Sequence, residues 1–309
     1  MKKALITGGA GFIGSHIALK LLRENIEVAV VDNLSKGNKS NLPGNLSFYN
    51  VNILNEAELE EIFLKERPDY VIHQAAQVSV QSSMEDPAYD AKINTIGTLN
   101  LLRLSAKYKV KKFIFASTAA VYGMPLYLPI DELHPANPIS FYGVSKLTSE
   151  TYIQLFKKFH GLDYCILRYG NVYGPKQNAQ GEAGVISIFI DRLLSNQPLE
   201  IYGDGKQTRD FIYVKDIANG CYLALLNGTN DILNLSTETQ TSISDLAEVL
   251  VQISGRKAPI VYHQAKEGDI PCSCLKNQQA IEKLNWAPSY SLLEGLNETM
   301  EYYSEKRVK

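Results

Sequence analysis

Apolar and polar positions follow two periods along the first half of the chain. Apolar runs of four to six residues read as strands at Ala4 to Thr7, Val28 to Val31, Phe48 to Ile53, Asp69 to His73, Lys112 to Ala116 and Tyr164 to Tyr169. Segments with apolar residues three and four apart read as helices at Phe12 to Glu24, Asn55 to Lys65, Ala91 to Tyr108 and Ser140 to His160. Strand and helix in turn predict a parallel sheet covered on both faces, a Rossmann-type doubly wound α/β fold. Beyond residue 170 the elements are shorter and mixed. Ile186 to Ser195, Asp216 to Leu226, Ser242 to Ile253 and Leu292 to Tyr303 read as helices, Leu199 to Tyr202 and Phe211 to Val214 as short strands, and Gly181 to Gly184 as a loop. The expected division is a first domain over 1–170 and a smaller C-terminal mixed α/β lobe over 171–309, with some of its segments returning to the first domain.

Composition narrows the class. Of 309 residues, 45% are hydrophobic and 21% charged, an ordinary globular balance that allows a sizeable core. The formal net charge of −2 lacks the basic excess of a general nucleic-acid or membrane-surface binder, so neither is expected as a partner. No apolar run reaches the roughly 18 to 20 residues that span a bilayer. The apolar stretch after Lys2 and Lys3 is broken by Gly8, Gly9, Gly11 and Gly14, which is not a signal-peptide pattern. Cysteines are sparse (Cys165, Cys221, Cys272, Cys274), so a reduced, cytoplasmic protein is expected. The five histidines have no metal-ligand spacing, and no metal is expected.

Two constellations carry chemistry. Gly8, Gly11 and Gly14 recur every three residues between the first strand and the first helix. Such glycines allow a tight turn, a close backbone approach to a pyrophosphate and close helix packing, with free amides at the helix start facing the anion. Asp32 ends the second strand, 18 residues after Gly14. A carboxylate there takes both hydroxyls of an adenosine ribose and repels a 2′-phosphate, favouring NAD over NADP. The second constellation is Tyr142 and Lys146, four apart on one helix face. A phenol is a poor base until a neighbouring ammonium favours the phenolate. The pair suits proton exchange with a hydroxyl being oxidised, and a hydroxyl of Ser117-Thr118 at a strand end can bond the same oxygen. A Tyr and Lys at this spacing also occur on plain solvated helix faces; the preceding nucleotide-binding half favours chemistry.

In this order and spacing these features resemble the extended short-chain dehydrogenase/reductase family, and within it the UDP-glucose 4-epimerase group. The resemblance runs from Lys3 to about Trp286, through Thr7 to Gly14, Val31 to Ser35, His73 to Gln77, Ser117 to Gly123, Tyr142 to Lys146, Arg168 to Pro175, Gly203 to Phe211 and Glu267 to Pro271. It implies NAD as cofactor, a UDP-sugar as substrate and transient oxidation of the sugar at C4, with inversion on return of the hydride. Tyr142 would remove the O4 proton, Lys146 would lower the Tyr142 pKa and hold the nicotinamide ribose, and Thr118 would bond O4. Cofactor contacts are implied at Phe12, Ile13, Asn33 and Ser117, at Asn52 and Ile53 beside the adenine, and at Ala75, Ala76 and Gln77 along pyrophosphate and ribose. Asn94 would support that loop and Tyr169 lie near the nicotinamide. Substrate contacts are implied at Asn171 and Arg209 on the diphosphate, Val185 by the uracil, Tyr202 by the nucleoside and Asp269 on the uridine ribose. Lys266 stands where the family often has Arg, and Asn52 where it usually has Asp.

Departures from relatives narrow the reaction. Ala119-Ala120 replaces the acids that dehydratases and decarboxylases carry, so elimination and decarboxylation are not expected. Asn171 and Asn178 replace the Thr and Arg of glucuronate epimerases, so a neutral sugar is expected. Ser273 is small where glucose-only epimerases are bulky, which implies room for an N-acetyl group. The apolar faces of Ala91 to Tyr108 and Ser140 to His160 match the family's four-helix dimer interface, implying a homodimer. Alternatives are a 4-reductase or an epimerase on another nucleotide sugar, and a non-catalytic NAD-binding regulator. The regulators usually lose the Tyr or Lys kept here.

Overall fold

The computed structural model describes residues 2–178, 184–265 and 268–308. Its centre is a seven-stranded sheet whose paired neighbours are all parallel. In chain order its first six strands are β1 (Lys3–Thr7), β2 (Glu27–Val31), β3 (Ser47–Tyr49), β4 (Tyr70–His73), β5 (Lys112–Thr118) and β6 (Asp163–Tyr169). All but the edge strand β3 are buried almost throughout, as sheets covered on both faces require. One layer holds α1 (Phe12–Arg23). The other holds α2 (Glu56–Glu66), α3 (Val80–Glu85), α4 (Pro87–Ala91), α5 (Gly97–Lys107) and α6 (Phe141–His160). Ser140 starts α6 by accepting from the Gly143 N–H at 3.1 Å, and Gly161 ends it in the left-handed region at φ +72°.

The second half builds a smaller lobe. It contains β7 (Asn171–Tyr173), α7 (Val185–Leu194), β8 (Leu199–Tyr202), β9 (Thr208–Arg209) and β10 (Phe211–Tyr213). Then come α8 (Val214–Leu226), β11 (Asp231–Leu235), β12 (Thr241–Ser242), α9 (Ile243–Ser254), β13 (Ile260–His263), α10 (Gln278–Leu284) and α11 (Leu292–Val308). β7 pairs with β10, β8 with β13 and β9 with β12. Two of these elements return to the large sheet. β11 pairs with β6 as the seventh strand, in the order β11-β6-β5-β4-β1-β2-β3, and α8 packs on α1. Trp286, with 1% of its surface exposed, joins the core between α8 and the sheet.

Two expectations need correction, and one unassigned segment gains structure. The run Phe48 to Ile53 forms a strand only to Tyr49. The paired strand β2 ends at Val31, and the Asn52 side chain then turns the backbone by accepting from the Leu54 N–H at 2.9 Å. The helix expected from Ala91 to Tyr108 is broken by a π turn over Lys92–Ile96. The segment between Gln77 and Ala91, unassigned from sequence, holds α3 and α4, capped by Ser79 and Asp86. Among the described residues no helix is long and apolar enough to cross a membrane. The loop expected at Gly181 to Gly184 lies outside the described residues except for Gly184.

Candidate active site

The C-terminal ends of β1, β2, β4, β5 and β6 open onto one cleft of about 570 Å3. Gly8, Gly11, Phe12, Ile13 and Gly14 form its floor at the start of α1. Two of its glycines have no room for a side chain. A Cβ on Gly8, where φ is +68°, would meet the Ala75 backbone N at 2.6 Å; one on Gly14 would run into the Gly8 carbonyl oxygen and the Gly9 Cα. Asp32 stands at the end of β2, 7% exposed, accepting from the N–H groups of Ala10 (2.9 Å) and Leu34 (2.8 Å). Burial raises its pKa and these amides oppose the rise. Asn33 lines the cleft and accepts from Ser35, while Asn52, Ile53, Ala75 and Ala76 form the walls.

Ser117, Thr118 and Tyr142 meet at the other end of the cleft, where β5 stops and α6 begins. Thr118 caps a 3-10 turn by accepting from the Ala120 N–H at 3.2 Å, which leaves its own proton to donate. Lys146 lies one helical turn beyond Tyr142, 3% exposed, and donates to the Ala116 carbonyl at 2.9 Å. Its Nζ is 6.0 Å from the Tyr142 ring centre and 4.8 Å from that of Phe115. Burial lowers its pKa from 10.5 to about 8, against the opposing pull of Asp90 and Glu150. The arrangement places a half-buried phenol, a hydroxyl and a readily deprotonated ammonium around one end of a cleft whose other end suits a dinucleotide.

Several expected contacts are committed elsewhere. The Gln77 backbone lines the cleft, but its side chain donates to Asp90 and to the Ser79 carbonyl. Asn94 lies beneath the loop and bonds both the Gln77 N–H (2.8 Å) and its carbonyl (2.9 Å). The Tyr169 hydroxyl is buried between Gln74 and Cys221, each at 3.1 Å, and burial raises its pKa far above the ordinary value. The Ser117 hydroxyl donates to Glu150 at 2.5 Å.

Of the residues expected on the substrate, Thr118 and Tyr142 line this cleft, whereas Asn171, Val185, Tyr202, Arg209, Asp269 and Ser273 are not among its walls and belong to the smaller lobe. Arg209 pairs with Asp269 and donates to the carbonyls of Thr208 (2.8 Å) and Ile270 (2.7 Å). The Asn171 N–H bonds the Asp210 carbonyl at 2.7 Å, and the Ser273 N–H bonds that of Thr208 at 3.2 Å. The fully buried Asp210 carboxylate holds Thr237 and Leu275, so one anchor sets the positions of Arg209 and Ser273. Tyr202 stacks on His263 at 5.3 Å, and Val185 opens α7. Lys266 lies outside the described residues. Sequence reasoning missed Lys176, which lines the cleft and donates to the Asn41 carbonyl at 2.9 Å, joining the segment after β7 to the glycine loop's flank. Its signal was present in position, two residues beyond Gly174. Among the described residues no cluster of His, Cys, Asp and Glu is arranged to hold a metal ion.

Comparison with known proteins agrees with this architecture. A model of the NAD dependent epimerase/dehydratase family matches residues 4–236. A Thermotoga maritima UDP-glucose 4-epimerase, solved with UDP-glucose, is 45% identical, with 99% of each chain covered and a TM-score of 0.97. A Thermus thermophilus UDP-glucose 4-epimerase in complex with NAD is 38% identical, covering 98% of this chain and 99% of that one, with a TM-score of 0.93. A Methanobrevibacter ruminantium UDP-N-acetylglucosamine 4-epimerase, solved with UDP-N-acetylmuramic acid, is 35% identical, with 99% of each chain covered and a TM-score of 0.94.

Proposed function

The chain belongs to the NAD dependent epimerase/dehydratase family, and from that premise we propose that it is an NAD-dependent 4-epimerase of UDP-hexoses. The observation that carries the reading is one continuous cleft, running from a glycine-rich cradle and the cleft-lining carboxylate of Asp32 to Thr118 and Tyr142 beside a buried Lys146. NAD fits this lining: Gly8 and Gly14 admit only backbone, the start of α1 offers free amides to phosphate, and Asp32 matches the two ribose hydroxyls. Gly8, Gly11, Phe12, Ile13 and Gly14 would hold the pyrophosphate, Asp32 and Asn33 the adenosine ribose, and Asn52 and Ile53 the adenine. When bound, NAD supplies a hydride acceptor and donor.

The protein's own groups do the rest. Tyr142 takes the proton of the O4 hydroxyl as C4 is oxidised and gives it back when C4 is reduced on its other face. The Lys146 ammonium favours the phenolate form of Tyr142, and Thr118 donates to O4 to fix its direction. Arg209, with its planar fork, would bind the diphosphate together with Asn171, and Asp269 the uridine ribose. Since Arg209 and Asp269 pair with each other, substrate would exchange that ion pair for its own phosphate and hydroxyls. The half-buried Ser273 supports acceptance of N-acetylated sugars, as does the likeness to the Methanobrevibacter enzyme.

A homodimer is also part of the reading. It is supported by large apolar side chains exposed along α3 and α6: Val80, Met84, Val144, Leu155 and Phe159; α5, expected to share that face, instead buries Leu101, Leu102 and Leu104 in this chain's own core. A mass of one chain in light scattering would refute it. The unbridged cysteines support a cytoplasmic location.

The deciding experiment incubates purified protein with UDP-glucose or UDP-N-acetylglucosamine, without added NAD, and resolves products by proton NMR. Both galacto products are expected. Conversion that requires reduced nicotinamide would instead identify a 4-reductase. Tyr142→Phe should cut kcat by about 100-fold or more with the fold intact by circular dichroism.

A further inference from the structure

We propose that Asp90 is a positioning residue of the reaction centre, the buried counter-charge of the Lys146 ammonium and the anchor of the loop 74–79 that walls the cofactor cleft. The proposal rests on the roles given above to Tyr142 and Lys146.

Asp90 sits on α4 with 1% of its surface exposed. Its Oδ1 accepts from Gln77 Nε2 at 2.8 Å and from Asn94 Nδ2 at 3.1 Å. Its Oδ2 makes no hydrogen bond of ordinary geometry among the described residues, although the nearby Ser145 hydroxyl favours the ionised carboxylate. A buried carboxylate held only by neutral donors is costly unless a cation lies near. Glu150, the other carboxylate buried around Lys146, is already satisfied. Arg168 grips it through two bonds, 3.0 and 2.6 Å, and Ser117 donates a third. Lys146 itself makes no direct ion pair among the described residues and spends a proton on the Ala116 carbonyl. The unpaired buried cation and the unpaired buried carboxylate are therefore left to balance each other.

A short chain of contacts joins them. Asn94 Nδ2 bonds both Asp90 and the Ser145 hydroxyl at 3.1 Å, and Ser145 precedes Lys146 on α6. Asn94 lies within the π turn Lys92–Ile96, a geometry that often marks functional positions in helices. Other titratable groups lie on the elements packed around Lys146. Tyr142 and Glu150 belong to α6 itself. His73 on β4 is kept neutral by burial and by the same ammonium, and Arg168 on β6 is tied up by Glu150. Glu85 on α3, Lys92 in the π turn, and Arg103 and Lys107 on α5 are exposed, the last two paired with Glu56 and Glu60. Asp90 is thus the buried charge acting on Lys146 that no cation already neutralises. Each favours the ionised form of the other, opposing the effect of burial on both.

Asp90→Asn keeps the shape and an acceptor oxygen but removes the charge. Lys146 should then lose its proton at lower pH, moving the alkaline limb of the kcat profile down by about one pH unit. That corresponds to about tenfold less activity at pH 9 and about none lost at pH 6. A uniform loss with an unmoved limb would overturn the proposal and leave Asp90 as a loop support. Thermal unfolding in saturating NAD supplies a readout independent of turnover. Asp90→Asn should lower Tm in the native background and raise it in a Lys146→Met background, where the carboxylate has lost its counter-charge. Equal losses in both would refute the charge pairing. Should Asp90→Asn fail to fold, recovery in the double variant supports the proposal and failure there refutes it. If the native protein converts no UDP-hexose, the functional reading falls while the thermal cycle still judges the pairing.

Discussion

Replacing Lys146 with methionine should raise the stability of the protein at neutral pH while destroying its chemistry. A fully buried ammonium with a pKa of about 8, against 10.5 for an ordinary lysine, costs the folded state about 3 kcal/mol in its charged form. The attraction of Asp90 and Glu150 is already contained in that value. Methionine is a close linear match in shape and removes the charge. It also removes the bond to the Ala116 carbonyl, a loss of about 1 to 2 kcal/mol. The net gain at pH 7 is about 2 kcal/mol. The sign of its pH dependence follows from the depressed pKa. Below about pH 8 the folded lysine is charged and carries the whole cost. Between there and 10.5 the folded state has shed the proton while the unfolded chain retains it, so the native protein gains stability as pH rises and the variant does not. Near pH 10 the advantage of the variant should fall to about zero. Urea unfolding of nucleotide-free protein at pH 7 and pH 10 measures both values. A variant less stable than the native protein at pH 7, or a gain that ignores pH, would refute the reasoning.

The other predictions concern the cradle, a buried ion pair and the sugar pocket. Gly14→Ala should yield protein that no longer co-purifies with NAD, because its methyl would overlap the Gly8 carbonyl and Gly9 Cα and push the glycine turn out of place; full NAD content after denaturation and assay would contradict this. Arg168→Met should cost about 3 to 5 kcal/mol by stranding Glu150, and adding Glu150→Leu should restore most of it in thermal unfolding. If the single variant were as stable as the native protein, the pair would not be buried as described. Ser273→Tyr should lower kcat/KM for UDP-N-acetylglucosamine by about tenfold or more while UDP-glucose turnover continues. Parallel loss on both sugars would show that residue 273 does not face the 2-position.

The legible parts of this molecule are those whose cause is local. The Gly8 to Gly14 turn needs no distant partner to be recognised, and Tyr142 and Lys146 share a helix face by period alone. Strand β11 was invisible as a seventh sheet strand, because Asp231–Leu235 is a brief run after a turn-rich stretch and only β6 gives it a place. Phe48 to Ile53 failed in the opposite direction: its composition suits a strand, but pairing ends where β2 ends. The π turn at Lys92–Ile96 differs from an α-helix by too little over five residues for apolar spacing to reveal it. Asp90 and Glu150 do not stand out in the sequence, since a lone acid carries no mark of burial. Their meaning comes from Gln77, Asn94, Arg168 and Ser117, which are distant in sequence or belong to other elements.

The return of β11 to the edge of β6 has a consequence for how the molecule comes into being. The central sheet gains its last strand only when residue 235 has been made, after β7, α7, β8, β9, β10 and α8. A nascent chain stopped at residue 170 would leave the N–H and C=O row of β6 bare and the apolar face of α1 without α8. The dinucleotide half therefore cannot finish and wait for its companion, as beads on a string do. Nor can a cut in the chain near residue 170 release it as an autonomous module for fusion or exchange. Any recombination that preserves the fold must carry β11 and α8 along with the strands they complete.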